Sequence, residues 1–314
     1  MSLFVLLMSA CNGCEACRPQ LPNPPDDPPV QDTADREDTA DTAAEDTAPT
    51  GPPARCDVEE VEPNDFQEQA QLLPMEVWAC GEFQRVLDLD WFTFSSTQPG
   101  WIEITGEVGA RGSRANAQIQ LVGADGSSAL AMDSYLSTDP RMVFPADAPG
   151  SWSLALSETN RDFGADFGWY MMATSIKAPV TWTFDEVEDN NAAANAQPFE
   201  LEETVFGRVE APGDLDWYVI TTPDGENTLT FDVEAYKAGS VANLKLILYR
   251  ADGTTIVRTD YRGEIDYDPD PWFQQRTSGV QTYFLLVRTE DDRGSPYHWY
   301  TMTVSSSTNP PSTP

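Results

Sequence analysis

Glu60-Val61-Glu62-Pro63-Asn64-Asp65, followed by Asp88-Leu89-Asp90-Trp91-Phe92, decides the fold, because both segments occur twice. They return 126 positions on, from 60 to 186, as Glu186-Val187-Glu188-Asp189-Asn190-Asn191 and Asp214-Leu215-Asp216-Trp217-Tyr218. At the same offset Ala70 meets Ala196 and Gly81 meets Gly207. With small slips, Ala124-Asp125-Gly126 answers Ala251-Asp252-Gly253, residues 152–156 answer 283–287, and 170–173 answer 300–303. Ordered self-similarity at a fixed offset marks a duplicated unit. The two copies are assigned to 57–176 and 183–305, joined near Lys177-Ala178-Pro179-Val180.

Inside each copy the hydrophobic period is two. Trp152, Leu154 and Leu156 alternate with serine and alanine, and Leu229, Phe231 and Val233 alternate with Thr230 and Asp232. Leu244, Leu246 and Leu248 alternate ahead of Asp252-Gly253, a hairpin signal. The only stretch with a helical pattern is a short one over 65–72. The chain is therefore expected to be all-β: two tandem jelly-roll-like antiparallel β-sandwiches, each of ordinary size.

Glu-x-Glu-Pro-Asn-Asp, a glycine-led strand, Asp-x-Asp-Trp-Phe/Tyr and a closing aromatic-rich strand together resemble the bacterial pre-peptidase C-terminal domain, the second copy departing with Asp189 for proline and Asn191 for the final aspartate. The resemblance spans both copies. It implies a jelly-roll-like accessory module of exported proteins, similar to the collagen-binding domains of clostridial collagenases, with calcium held by the acidic N-terminal motif. Carried onto this chain, the calcium ligands are Glu60, Glu62, Asn64, Asp65, Asp88 and Asp90 in the first copy. In the second they are Glu186, Glu188, Asn190, Asp214 and Asp216, a weaker set because Asn191 stands where Asp65 does. The chemistry agrees, since oxygen ligands without His or Cys select Ca²⁺ over transition metals.

A net charge of −34 excludes nucleic acid as a partner, because phosphate would be repelled by the whole surface. One histidine in 314 residues removes most imidazole-based catalysis, and no hydrolase, phosphate-binding or dinucleotide motif is present. Trp91 and Trp217, at the heads of strands, are expected to be packed, and His298 to be half-exposed in the last strand.

The amino end has the character of an address. An apolar run ends in Met8-Ser9-Ala10-Cys11, which resembles the lipobox of bacterial lipoproteins and implies lipidation at Cys11. Residues 12–55 are rich in proline and acid, repeat Asp-Thr-Ala four times and are expected to form a disordered tether, as is the tail 306–314. Cys14 and Cys17 lie in that tether. Cys56 and Cys80 flank the start of the first folded copy and are expected to form a disulfide, which export permits.

Together these features describe a non-enzymatic, lipid-anchored protein of the bacterial cell envelope, at the outer membrane or surface. Its modules are expected to bind an extracellular polymer or protein, using aromatics drawn from Trp169, Tyr170, Trp272, Phe273, Tyr297 and Trp299. The alternative is an accessory piece of a secreted protease or a carbohydrate-active hydrolase.

Overall fold

Alternating apolar residues and frequent turns produce twenty strands, ten in each copy, in a computed structural model that describes residues 56–85, 87–113, 115–131, 139–159, 168–261 and 269–308. Cys11, the 12–55 segment and residues 309–314 lie outside the described residues. The first sandwich comprises β1 (Val58–Glu59), β2 (Gln71–Leu72), β3 (Trp78–Glu82), β4 (Leu89–Ser96), β5 (Gly100–Glu107), β6 (Ala117–Gly123), β7 (Ser128–Ala131), β8 (Arg141–Ala146), β9 (Gly150–Glu158) and β10 (Trp169–Lys177). The second comprises β11 (Phe184–Asp185), β12 (Gln197–Phe199), β13 (Thr204–Arg208), β14 (Asp216–Thr221), β15 (Glu226–Glu234), β16 (Leu244–Arg250), β17 (Ile256–Asp260), β18 (Trp272–Ser278), β19 (Thr282–Thr289) and β20 (Trp299–Ser307).

Each sandwich has two five-stranded sheets. The orders are β1-β3-β10-β5-β8 and β2-β4-β9-β6-β7 in the first copy. Adding ten to every strand number gives the second copy's orders. The chain is all-β, two tandem sandwiches of one topology. Among the described residues, parallel pairing occurs only where two- and three-residue edge strands join β3, β4, β13 and β14; the other ladders are antiparallel.

The period of two explains the core. Phe92 and Phe94 of β4, Ile102 and Ile104 of β5, and Leu154 and Leu156 of β9 point between the sheets and are essentially fully buried. Leu229, Phe231 and Val233 of β15 and Leu244, Leu246 and Leu248 of β16 do the same in the second copy. Burial of each large side chain stabilises by about 1.5–3 kcal/mol. Loops are held by buried acids at matching places. Asp139 accepts hydrogen bonds from the amides of Val108, Gly109 and Ala110 (3.0, 2.6 and 3.1 Å), and Asp270 accepts them from Tyr236 and Lys237 (2.8 and 3.1 Å).

Several expectations need correction. The helical pattern over 65–72 yields only a single 3-10 turn, Gln67–Gln69, too short to bury a face. The last strand runs to Ser307, so 306 and 307 belong to the sheet and not to a tail; they pair with Leu229 and Thr228. His298 is buried (7% exposed) and precedes the strand, its Nδ1 2.8 Å from Ser295 Oγ. Of the aromatics expected at a binding face, Trp169, Tyr170, Phe273, Tyr297 and Trp299 are buried and Trp272 is half-buried: Tyr170 and Phe273 lie in the cores, Tyr297 and Trp299 at the docking of the sandwiches, and Trp169 against Trp78 and the Cys56–Cys80 pair.

The two sandwiches dock against each other. Trp101 and Val143 of the first pack on Phe206 and Trp299 of the second, with Val180 of the joint added. Trp299 Nε1 donates to the Val143 carbonyl (2.6 Å), and the Val143 amide donates to the Gly239 carbonyl (2.7 Å). Gly239 has φ +100°, and a Cβ there would strike the Val143 side chain, so this close approach requires glycine. Tyr297 of the second copy enters the first copy's core, edge-on to Phe144 at 5.2 Å. Arg208 closes the edge with a bidentate pair to Asp147, 2.8 Å at each nitrogen.

Candidate metal centre

The acidic motif follows a two-residue edge strand, β1 or β11, and is held against its neighbours by its own backbone. The Glu60 amide donates to the Cys80 carbonyl (2.8 Å), and the Asn64 carbonyl accepts from the Trp91 amide (3.0 Å). Glu186 with Phe206 (2.9 Å) and Asn190 with Trp217 (3.2 Å) repeat both contacts. The peptide bond after Glu62 is cis, and so is the one after Glu188. The bonds from the Trp91 and Trp217 amides fix the segment beside the start of β4 or β14.

Strand parity supplies the third carboxylate. Asp90 shares the inward face of β4 with Phe92 and Phe94, and Asp216 shares that of β14 with Tyr218 and Ile220. Both aspartates are completely buried. One carboxylate oxygen from each of Glu60, Glu62 and Asp90 lies within 4.8 Å of the others, and Glu186, Glu188 and Asp216 form the same group. Neither group contains His or Cys.

The hydrogen bonds around each group aim its oxygens inward. Glu60 accepts from the Glu82 amide (3.0 Å) and from Asn64 Nδ2 (3.1 Å); Glu186 accepts from the Arg208 amide (2.9 Å) and Asn190 Nδ2 (2.7 Å). The donor face of each asparagine is thus occupied. The carbonyl oxygens of Asn64 and Asn190, in residues with no exposed surface, have no hydrogen-bond partner. Neither do both carboxylate oxygens of Asp90 nor Oδ1 of Asp216. Buried polar atoms are almost always satisfied, so several orphan acceptors converging on three carboxylates call for a positive charge.

The electrostatics point the same way. Burial, then the facing Glu60, pushes Asp90 up to about 10, and burial pushes Glu186 up to about 7. Glu60 is raised mainly by burial, and Asp216 is driven well above the carboxylate range by burial and then by Glu186. A divalent cation would reverse these shifts by favouring the ionised forms. Three carboxylates and an amide oxygen per site, all hard ligands, fit Ca²⁺.

The remaining expected ligands do other work. Asp65 pairs with Arg85 outside the cluster. In the second copy both partners change, to Asn191 and Ala211, so the Asp65-to-Asn191 difference does not touch the carboxylate group. That removes the reason for expecting a weaker second site. Asp88 accepts from the Gln84 amide (2.5 Å) and Asp214 from the Glu210 amide (2.7 Å), so each shapes the loop entering the strand.

Three tyrosines beside the carboxylates were not anticipated in this role. Tyr300 donates to Asp216 Oδ2 (2.7 Å) and lies 2.8 Å from the Tyr218 hydroxyl, which donates to Glu186 Oε1 (3.3 Å). Tyr170 takes the place of Tyr300 in the first copy, whereas Phe92 replaces Tyr218 and leaves that site one hydroxyl poorer. Gly81 and Gly207 make room for these groups, because a Cβ at either would collide with the tyrosine ring and with Glu60 or Glu186. The signal was present: both glycines and Tyr170/Tyr300 are among the positions matched between the copies.

Trp91 and Trp217 are buried as expected, but on the outer face of their sheets, where Trp217 lies against Tyr249 at 5.0 Å. Cys56 and Cys80 form the disulfide, with Cα atoms 5.7 Å apart, and tie the start of the motif to β3.

No protein-family model matches the chain, and no curated protein matches it. Solved structures match distantly. A protein of Eubacterium rectale described as secreted is 6% identical over 80% of this chain and 84% of that one, with a TM-score of 0.24. The secreted serine protease VesC from Vibrio cholerae is 10% identical over 76% of this chain and 50% of that one, TM-score 0.23. The CBM22-1–CBM22-2 tandem domain of Xyn10C from Paenibacillus barcinonensis is 11% identical over 68% and 82%, TM-score 0.20. At this distance they bear on neither activity nor partner.

Proposed function

We propose that the chain is a non-enzymatic, exported binding module of the pre-peptidase C-terminal type, whose two sandwiches each hold a structural calcium ion. The observation that carries the calcium reading is the duplicated set of buried, unpaired oxygens around Asp90 and Asp216. A cation there joins the N-terminal motif to β4 or β14 and so clamps an edge strand to the sandwich. Asp90 and Asp216 are fully enclosed, which suits an ion. The Cys56–Cys80 disulfide supports an oxidising compartment, and lipidation at Cys11 would tether the sandwiches to the envelope. The ligand of such a module is an extracellular polymer or protein.

Isothermal titration of the intact chain with Ca²⁺ tests this reading. Two ions per chain are expected, at dissociation constants of about 10⁻⁴–10⁻³ M, typical of extracellular modules. Asp90→Asn and Asp216→Asn should each reduce the stoichiometry to one. No binding up to roughly ten times that range would overturn the assignment.

A further inference from the structure

We infer that the groove between the two sandwiches binds a basic side chain, an arginine or lysine presented by a partner peptide. The groove has a volume of about 520 Å³, within the ~300–1,000 Å³ of ligand pockets. Its floor is aromatic. Trp101, Trp182 and Phe206 line it, with Trp182 5.0 Å from Phe206 and 6.3 Å from Trp101. Its rim is acidic, carrying Asp185, Glu188 and Glu210.

The comparison between copies singles this place out. Positions 182 and 206 correspond to 56 and 80, so the ring pair occupies the place of the first copy's disulfide. A disulfide would hold β11 to β13 equally well. Instead the second copy carries two rings, one of them (Trp182) 36% exposed at the mouth of an inter-sandwich groove.

Charge and hydrogen bonding select the occupant. Arg208 is the only basic residue in the lining, and Asp147 holds its guanidinium on both sides. The Trp182 indole N–H is donated to Asp185 Oδ1 (2.9 Å). Arg208 also lies over the Phe206 ring (5.3 Å) with its Nε buried and unpaired, which leaves the exposed Trp182 ring and the rim carboxylates as the groups open to an incoming cation. An ammonium or guanidinium on an aliphatic stem matches all three features: the stem lies on the apolar floor, the cation sits over the Trp182 face, and the rim carboxylates accept its protons. The chain's charge of −34 adds long-range attraction for a basic partner. Asp185 and Glu210 lie outside the carboxylate group of the second metal centre, so the rim stays acidic whether or not the calcium reading holds.

Ligand-observed NMR of the full-length chain with acetyl-Gly-Arg-Gly-amide, in EDTA and again in calcium, tests the groove. Saturable binding is expected in both buffers, with the glutamine counterpart acetyl-Gly-Gln-Gly-amide at least about five-fold weaker. Trp182→Ala, and separately the Asp185→Asn/Glu210→Gln pair, should each weaken binding by about five-fold or more, while Trp182→Phe keeps most of it. Glu68→Gln, an exposed acid remote from the groove, should leave it unchanged, and thermal melts establish that each variant is folded. Equal affinity for the arginine and glutamine peptides, an equal loss in Glu68→Gln, or Trp182-dependent binding of a neutral oligosaccharide with none of the arginine peptide would each overturn the inference. Failure of calcium titration alone would leave the EDTA arm standing.

Discussion

Stripping divalent cations should make this protein less stable as the pH rises, the reverse of the usual behaviour of paired carboxylates. Burial raises Glu186 from 4.5 to about 7. A folded-state value above the unfolded one contributes stability that is complete below about pH 4.5 and is lost as the pH climbs through about 7. At 1.36 kcal/mol per pH unit, the gap corresponds to on the order of 3 kcal/mol. Asp90, raised to about 10 by burial and by Glu60, adds a loss of the same sign that begins above about pH 3.8 and continues to about pH 10. Calcium opposes the loss, because the ionised carboxylates gain a partner, and at ten times its dissociation constant linkage sets that contribution at about 1.4 kcal/mol per site, or about 2.8 kcal/mol for two sites. Scanning calorimetry of the full chain should therefore show nearly equal Tm in calcium and in EDTA at about pH 5. At about pH 7.5 the gap should be on the order of 5–10 °C, at about 2–4 °C per kcal/mol for a folded unit of this size. Asp90→Asn and Asp216→Asn together should flatten the EDTA slope and abolish the calcium response, since they remove both the buried charge and the ligand. A calcium-minus-EDTA gap that is absent at both pH values, or the same at both, refutes the cation-site reasoning.

Three other outcomes follow from the packing. Reducing the chain, or making Cys56→Ser/Cys80→Ser, opens a loop with a sequence separation of 24 and should cost about 3 kcal/mol in urea denaturation. Trp299→Phe leaves the Val143 carbonyl without its donor in a buried interface and should cost about 1–3 kcal/mol, turning one calorimetric transition into two; an unchanged single transition would show that the docking does not couple the sandwiches. Burial lowers His298 below its usual 6.5, so its contribution is complete above about pH 6.5 and is lost as the pH falls through the folded value; the single imidazole can be followed by proton NMR, and an ordinary titration midpoint would contradict its burial.

What the amino-acid sequence determined by itself was the periodic part. Alternation at period two made the chain all-β, and the 60-to-186 offset made it a tandem, because strand faces and duplications are written in local order along the chain. The acidic motif could also be located, and Glu60, Glu62 and Asp90 with their counterparts do converge. Which acids converge was a different matter. Asp65, Asp88 and Asp90 look alike in sequence, yet Asp65 faces Arg85, Asp88 holds its own loop, and only Asp90 enters the cluster, because it lies on the inward face of a strand that the motif happens to cross. The aromatics show the same division. Tyr297 and Trp299 were candidates for an exposed face, but docking of one sandwich on the other buries them, while Trp182, in an unremarkable joint, is left at the mouth of the groove. Contacts between residues far apart in the chain depend on how sheets stack and copies dock, and no local pattern encodes that geometry.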